Sequence, residues 1–444
     1  MVTSRASSRK WLEEGILQHQ TLAHRALLAV VLAVMLIGGR PCAAEELPIA
    51  EKAEWHVGVA SAKITPEQRL HMAGYAARKE PAEGTQQELF AKAMAIEDQA
   101  GTRVVFVTLD LIGVREELQS RVAEQVEKQF KLPASMLLMN ASHTHSGPAY
   151  EREDAQGYLN SLVDTLVDLV GRSLAERQPA ELSYSFASCS VAMNRRTPSQ
   201  HGFLNHPNPN GPTDHTVPVL SVRNPDDDSL RAILFGYACH NTTLGLLRWQ
   251  GDYAGYAQEF LERDHPGVTA MFMMGCGGDQ NPYPRRELKY VELHGQSLAT
   301  AVEAALESDQ KTPRHQRPIH GNLSVVNETV DLEYTTAGRE DFAYPIQVIR
   351  FGDDLMLIAL GSEVVVDYAL RLKSELAKPD GPAIWVAGYS NAYNGYIPSK
   401  RVLKEGGYEA LSRPWKLTLE ERIVDKVHEL VGQLPPPETN DASR

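Results

Sequence analysis

Cysteine is scarce in this chain, with four among 444 residues. One of them, Cys42, lies in an N-terminal segment with the features of a removable leader, so a mature chain would keep Cys189, Cys239 and Cys276. An odd and widely spaced set of three is no disulfide framework, although one bridge is allowed in an oxidising compartment. Stability must therefore come from a hydrophobic core.

Apolar runs long enough to cross a membrane are also missing. The run Ala26–Ile37 follows several basic residues and precedes Cys42-Ala43-Ala44, which resembles a small-residue cleavage site. Its twelve residues are too few for a comfortable membrane span. We predict that residues 1–44 are a signal peptide and that the chain is exported, either to the periplasm or by secretion. An uncleaved N-terminal membrane anchor is the alternative.

The chain has no excess of positive charge. Its formal net charge is −13, and without residues 1–44 the remainder would carry 39 basic and 55 acidic residues, a net of −16. This balance argues against nucleic acid as a partner, since nucleic-acid binding needs a basic surface. It does not identify a substrate.

Apolar runs typical of buried strands alternate with stretches of helical period. The predicted strands are Val104–Leu111, Met136–Ala141, Val217–Val222, Ile233–Ala238, Val268–Met274, Leu355–Leu360 and Ile384–Gly388. The predicted helices are Glu116–Phe130, Gly157–Leu174, Tyr253–Arg263, Glu287–Leu306 and Glu363–Leu376. This alternation predicts an α/β fold with a mixed, largely parallel central sheet and flanking helices.

No internal repeat or linker composition divides the chain. We therefore predict a single large domain over residues 50–433, followed by a disordered Pro-rich tail over residues 434–444. In the segment Leu323–Tyr334, apolar and polar residues alternate as they do in a half-exposed antiparallel strand. The segment Pro198–Pro218 is predicted to be an irregular loop near the site.

The most informative motif is His143-Thr144-His145-Ser146-Gly147-Pro148, which follows an apolar run. Residues two apart on a strand point the same way, so His143 and His145 can face one site. Two converging imidazoles suit a divalent metal ion, or a metal ligand beside a proton carrier. Alternatively, the pair forms ordinary hydrogen bonds where a strand meets a loop.

Other chemically capable side chains also follow apolar runs. His240 ends one predicted strand, and Glu363 follows another, with Ser362 as a plausible N-cap of the next helix. The glycine-rich turn Gly275–Pro282 could cradle an anion, but it lacks the Lys-Ser/Thr ending of a nucleotide-binding loop. Taken singly, each has a structural alternative. Together, two or three histidines and one glutamate form a catalytic zinc set, which indicates an exported metallohydrolase.

The ordered motifs resemble the catalytic domain of the neutral/alkaline non-lysosomal ceramidases over about residues 55–410. The segments that carry the resemblance are Val57–Pro66, Met72–Ala76, Val104–Asp110, His143–Pro148, Met193–Arg196, Ala238–His240, Gly251–Ala257, Gly278-Asp279, Gly361–Glu363, Asn391–Tyr396 and Tyr408–Ala410.

The resemblance implies a zinc amidohydrolase that splits the N-acyl bond of ceramide. It implies a lipid or small-molecule substrate, and it is compatible with transient contact between the protein and a membrane surface. One zinc ion per chain would be held by His143, His240, Glu363 and Tyr396. The other site residues implied are His145 as proton carrier, Tyr408 as donor to the developing oxyanion, and Arg195 lining the site.

The chain also departs from the family pattern. Asn281 stands where the family has a serine implicated in catalysis; it cannot be a nucleophile, but its amide could donate a hydrogen bond to the reacting groups. The region from Asp279 to Glu363 is shorter, and a C-terminal immunoglobulin-like domain is not expected. Lys63 replaces a usual acidic residue. Two alternatives follow: a zinc hydrolase of a smaller amide, ester or glycan-derived substrate, and an inactive zinc-containing binding protein.

Overall fold

The computed structural model describes residues 54–307 and 316–436. The predicted signal peptide and most of the predicted tail lie outside the described residues, and the compact unit that begins at Ala53 contains everything described below. Within the described ranges, no helix combines the length and the apolar character needed to cross a membrane.

The strands and helices are numbered in chain order. The strands are β1 Trp55–Lys63, β2 Gly84–Thr85, β3 Phe90–Asp98, β4 Arg103–Leu109, β5 Leu137–Ala141, β6 Gln178–Ser188, β7 Ala192–Ser199, β8 Gly202–Asn208, β9 Thr216–Arg223, β10 Leu230–Tyr237, β11 Arg248–Trp249, β12 Thr269–Met274, β13 Gln280–Pro282, β14 Arg317–Pro318, β15 Leu323–Leu332, β16 Phe342–Phe351, β17 Leu355–Leu360, β18 Glu363–Val364, β19 Ala383–Ala387 and β20 Tyr396–Ile397. The α-helices are α1 Glu116–Phe130, α2 Gln156–Ala175, α3 Asp252–Asp264, α4 Leu288–Leu306, α5 Val366–Leu376, α6 Lys400–Glu405, α7 Tyr408–Leu411 and α8 Leu419–Gln433.

Two sheets form the centre of the molecule. The larger has the strand order β12-β10-β9-β6-β1-β3-β4-β5, with β14 also paired to β6, and the smaller has the order β15-β16-β17-β19. Inward-facing apolar side chains of both sheets, among them Phe106, Phe351 and Trp385, form one shared core. The sheets therefore pack face to face, each burying one apolar face against the other.

Helices cover the outer face of each sheet. Helices α1 and α2 pack against the β3–β4–β5 half of the larger sheet, and α3 and α4 cover its β9–β10–β12 half. Helices α5 and α8 cover the smaller sheet. In α1 the buried residues Leu118, Val122 and Val126 recur every four positions, which places them on one helical face. The result is a four-layer arrangement of helix, sheet, sheet and helix.

The predicted α/β class, with a mixed sheet and flanking helices, is confirmed. The expectation that pairing is largely parallel is wrong: in the larger sheet only β4 with β5 and β10 with β12 are parallel. Those two connections pass through helices α1 and α3, whereas β3 and β4 are joined by a short turn, which forces antiparallel pairing. A period-2 or apolar pattern identifies a strand but does not name its partner.

The segment predicted to be an irregular loop, Pro198–Pro218, is partly regular. Its first half completes an antiparallel hairpin of β7 and β8, and its last residues belong to β9. The Ser199 hydroxyl donates to the Gly202 carbonyl at 2.7 Å and accepts from the His201 amide at 3.2 Å. The Ser199 side chain thus stabilises the turn between β7 and β8, and Gly202 adopts the positive φ of 103° that this turn contains.

Candidate metal centre

Strand ends of both sheets meet at one place. Asn140, at the end of β5, donates to the carbonyls of Gly388 at 2.7 Å and Met274 at 3.3 Å, and its own carbonyl accepts from the Met274 amide at 2.7 Å. A single buried amide side chain thus ties the ends of β5, β12 and β19 together. The polypeptide segments that follow these strands carry the side chains of the site.

His143 and His240 present the same atom to the site. The Nδ1 of His143 lies 2.6 Å from the Ile112 carbonyl oxygen, and the Nδ1 of His240 lies 2.7 Å from the Gly277 carbonyl oxygen. Because a carbonyl can only accept, each ring carries its proton on Nδ1 and turns an unprotonated Nε2 inward. Both rings are buried, with 1% and 0% of each residue exposed.

Glu363 completes this group. Its Oε2 lies 3.2 Å from His143 Nε2 and 3.3 Å from His240 Nε2, while its Oε1 accepts from the Tyr393 hydroxyl at 2.8 Å. Oε2 is buried and no donor reaches it. Three acceptor atoms therefore converge on one buried point, an arrangement that a cation would satisfy.

Protonation states agree with this assignment. Burial lowers the pKa of His240 to about 3, with Arg195 adding to the effect. At neutral pH the His240 ring is therefore neutral, which is the state in which a histidine binds a metal ion.

His145 lies beside this point but on its open side. Its Nε2 is 3.1 Å from His143 Nε2, and with His143 and His240 it forms a group whose ligand atoms all lie within 4.8 Å of one another. Unlike the other two rings it is only partly buried. Its edge contacts the Tyr75 ring, with centroids 4.9 Å apart. His145 is therefore placed either to bind the metal or to carry a proton beside it.

Tyr396 and Arg195 form the next group. The Tyr396 hydroxyl lies 3.4 Å from His240 Nε2 and accepts from Arg195 Nη2 at 3.0 Å. Arg195 also donates to Glu409 at 2.9 Å and to the Asn281 side-chain carbonyl at 3.2 Å. One buried guanidinium thus sets the positions of Tyr396 and Asn281.

Asn281 and Tyr408 occupy different parts of the site. The Asn281 amide nitrogen lies 3.3 Å from the Tyr283 hydroxyl, and its carbonyl also accepts from Thr242 at 3.3 Å. Tyr408, at the start of α7, is 54% exposed and packs edge-on against Tyr396, with ring centroids 5.3 Å apart. Tyr408 therefore lies at the rim of the site, whereas hydrogen bonds to neighbouring side chains hold Asn281 in place.

Two local interpretations of the sequence are wrong. Ser362 is not an N-cap, because Glu363 belongs to β18 and α5 begins three residues later, at Val366. The glycine-rich turn does not cradle an anion: the Gly277 amide bonds to Gly275, and the Gly278 amide to Val364. These amides are used within the protein, so the turn serves close packing.

Residue-type reasoning missed Tyr393 and Glu409, although both lie inside motifs that carried the resemblance. Tyr393 donates to Glu363, and Glu409 pairs with Arg195 at 2.9 Å and with Arg196 at 2.5 Å. The adjacent residues Arg195 and Arg196 could have indicated Glu409, because two neighbouring cations that become buried require a carboxylate partner.

The fold and the site together define the class of protein. In this class, the ends of strands from two facing sheets carry buried histidine and carboxylate side chains that could bind a metal ion. The profile described as "Neutral/alkaline non-lysosomal ceramidase, N-terminal" matches residues 55–276, half of the chain. The chain belongs to this family, as its motifs predicted.

Curated relatives are consistent with this membership. Neutral ceramidase of Pseudomonas aeruginosa is 26% identical over 283 residues, which are 59% of this chain and 41% of the relative. Neutral ceramidase 1 of Arabidopsis thaliana is 24% identical over 272 residues, 57% of this chain and 34% of the relative. The matched part of the chain thus spans about two fifths or less of these relatives.

Solved structures share the fold. The crystal structure of neutral ceramidase from Pseudomonas aeruginosa superposes with a TM-score of 0.72 at 18% identity, covering 86% of this chain and 74% of that one. A structure described as ceramidase complexed with C2 gives 0.70 at 19% identity, covering 85% and 76%.

Proposed function

We propose that this protein is an exported zinc-dependent amidohydrolase that cleaves the N-acyl bond of ceramide or of a related N-acyl lipid. Family membership over half of the chain and relatives named as neutral ceramidases support this proposal. The substrate would be a lipid, reached by transient contact with a membrane surface.

The observation that carries the proposal is the convergence of His143, His240 and Glu363. The Glu363 Oε2 lies 3.2 Å from His143 Nε2 and 3.3 Å from His240 Nε2, and this carboxylate oxygen has no donor. Imidazole and carboxylate are the donor set of catalytic zinc sites, and the Tyr396 oxygen is adjacent as a fourth ligand. A bound zinc ion would polarise the amide carbonyl and lower the pKa of a water molecule to about 7.

The remaining residues would hold the site and move the proton. His145, partly open to solvent, would accept a proton from the attacking water and deliver it to the leaving amine. Tyr408 at the rim would donate to the developing oxyanion. Arg195 would keep Tyr396 and Asn281 in place through its three donated hydrogen bonds.

A ladder of N-acyl sphingosines, from short to long acyl chains, tests the substrate. Zinc-loaded protein is incubated with each compound and release of the free amine is followed. We expect cleavage, and loss of activity to below about 1% in His143→Ala, because removing a ligand abolishes the metal centre. His265→Ala changes a partly exposed histidine paired with Glu303 and should keep full activity.

The outcomes separate the alternatives. Absence of cleavage at every chain length, with zinc confirmed as bound, would rule out the proposed activity. Release of amine from short-chain compounds alone would favour the smaller-substrate hydrolase. Bound zinc without turnover on any acyl compound would favour a binding protein.

Export rests on residues 1–44, which lie outside the described residues. We expect N-terminal sequencing of the mature protein to begin at Glu45, after Cys42-Ala43-Ala44. A mature protein that still begins near Met1 would instead support an anchor.

A further inference from the structure

Three arginines surround Tyr75 at the open side of the site. The Arg78 guanidinium carbon lies 4.7 Å from the centre of the Tyr75 ring, and that of Arg286 lies 5.3 Å from it. Arg285 acts electrostatically on the same tyrosine and lies 5.9 Å from the Tyr283 ring. We call Arg78, Arg285 and Arg286 the arginine cluster.

The cluster adjoins the reacting groups. Tyr75 contacts the edge of the partly buried His145, and Arg78 donates to the His145 backbone carbonyl. On the other flank, the Tyr283 hydroxyl is bonded to Asn281. A group bound to the cluster would therefore lie one aromatic ring away from His145.

Within the ranges 54–307 and 316–436, none of the three arginines forms an ion pair with a carboxylate. Two acidic residues of the neighbouring segments have partners of their own: Asp252 accepts from the amides of Thr243, Leu244 and Tyr253, and Glu287 pairs with Lys289 at 2.8 Å. Such positive charge without a counterion is unexpected in a chain of net charge −13.

Part of this charge is also buried and unsatisfied. The Nε atoms of Arg78 and Arg285 are buried without a hydrogen-bond partner. Burial lowers the pKa of Arg78, and the charge of Arg286 lowers it further, so the guanidinium groups repel each other. Arg78 donates its other N–H groups mainly to backbone carbonyls. Arg285 is partly exposed and Arg286 is exposed, so both can be reached from solvent.

We propose that the arginine cluster binds an anionic headgroup of the substrate, so that the preferred N-acyl compound carries a carboxylate, sulfonate or phosphate near the scissile amide. Guanidinium groups bind such anions through charge-assisted, often bidentate hydrogen bonds. Leu246, 43% exposed, accepts from Arg78 through its carbonyl at 2.8 Å and places apolar surface beside the charge. That combination suits an amphiphile. This inference rests on the proposed N-acyl hydrolysis.

A set of amides with one acyl chain and different headgroups tests the proposal. Zinc-loaded protein is given the N-dodecanoyl amides of ethanolamine, glycine, taurine and phosphoethanolamine, of which the first is neutral. We expect kcat/KM to be at least about tenfold higher for an anionic headgroup, as one charge-assisted contact allows. The preferred anion identifies the headgroup class.

The double variant Arg285→Gln/Arg286→Gln should lose this preference through a higher KM for the anionic amides, so that neutral and anionic amides are hydrolysed with similar kcat/KM. Arg121→Gln, which removes one positive charge on α1, is the control and should leave the preference intact. Equal rates for neutral and anionic amides, or a preference that survives in the double variant, would overturn the proposal.

Calorimetric titration with octyl phosphate, which has no amide bond, separates the two proposals. Binding that disappears in the double variant supports the anion site even if no amide is hydrolysed, in which case the proposed activity alone fails. Binding that is equal in wild type and double variant, or absent from both, refutes the anion site.

Discussion

At the scale of single residues, Glu363 is the most informative position. Its Oε2 faces two imidazole Nε2 atoms and receives no donor, so the metal-free centre places like partial charges together. Such an arrangement lowers the stability of the metal-free fold and is retained where a ligand is to be bound.

Glu363→Gln therefore separates stability from metal binding. The amide nitrogen would donate to an imidazole Nε2, so we expect the metal-free variant to gain about 1 kcal/mol in free energy of unfolding over the metal-free wild type. Zinc at 1,000 times its Kd should stabilise the wild type by about 4 kcal/mol and the variant far less. Chemical denaturation with and without zinc measures both.

Glu303→Gln is the matched control, since Glu303 pairs with His265 at 2.8 Å near the surface. It should leave the response to zinc unchanged. A metal-free Glu363→Gln protein that is clearly less stable than the metal-free wild type would contradict this account of the centre.

Tyr396→Phe tests the fourth ligand. Loss of the hydroxyl removes one of four proposed donors and leaves Arg195 Nη2 without its acceptor at 3.0 Å, at a cost of about 1–3 kcal/mol. We expect the variant to lose zinc on dialysis under conditions that leave wild type loaded. Tyr290→Phe on α4 is the control, and equal zinc content in Tyr396→Phe and wild type would remove Tyr396 from the ligand set.

The structure brings together several candidate side chains that the sequence indicated. His143, His240, Glu363, Tyr396 and Arg195 lie at one place, and their role as a metal site stays a prediction. The sequence did not reveal that Glu363 lies in a short strand, because this depends on Ser362 adopting a positive φ of 64°. Only tertiary contacts determine such a backbone conformation.

At the scale of elements, β18 positions Glu363 and is held by the glycine-rich turn. A Cβ at Gly278 would lie 2.7 Å from the Glu363 carbonyl oxygen and 2.8 Å from that of Val364. Both neighbours are backbone atoms, which cannot move aside as a flexible side chain can. The turn thus sets how closely β18 approaches the segment after β12.

Gly278→Ala should therefore displace β18. We expect a loss of about 2 kcal/mol or more in free energy of unfolding, by the usual cost of overpacking, together with weaker zinc retention. Gly432→Ala in α8 is the matched control, since its Cβ would meet nothing within 4 Å, and it should stabilise the protein by about 0.5–1 kcal/mol. A neutral Gly278→Ala would show that β18 does not depend on this contact.

The elements themselves were largely predictable. The bounds of α1, Glu116–Phe130, and of β17, Leu355–Leu360, are those that the periodicity predicted. The pairing of the strands was not predictable. An apolar run such as β9 shows that both faces of the strand are buried, but it does not show which strands flank it. The contact between the two sheets depends on the same long-range information.

At the scale of the whole molecule, stability comes from the core, as the scarcity of cysteine predicted. Cys189, Cys239 and Cys276 are buried and unpaired, and burial raises the pKa of each thiol. We expect no reaction of these three with a thiol reagent in the native protein and reaction of all three after unfolding. Rapid native labelling, or fewer than three reactive thiols after unfolding, would contradict the structure.

The four-layer arrangement also explains how one site draws on the whole chain. His143 and His240 follow strands of the larger sheet, whereas Glu363 and Tyr396 follow strands of the smaller one. The candidate centre therefore forms only when the two sheets pack together, so metal binding there would depend on the complete fold.

The most direct test of the metal centre is anomalous diffraction at the zinc edge from crystals of zinc-loaded protein. The account predicts one peak per chain, about 2.0–2.2 Å from the Nε2 atoms of His143 and His240 and from a Glu363 carboxylate oxygen. A position beyond bonding distance from His145 would support its role as proton carrier. Absence of a peak between these three residues, or a single peak elsewhere in the chain, would contradict the account.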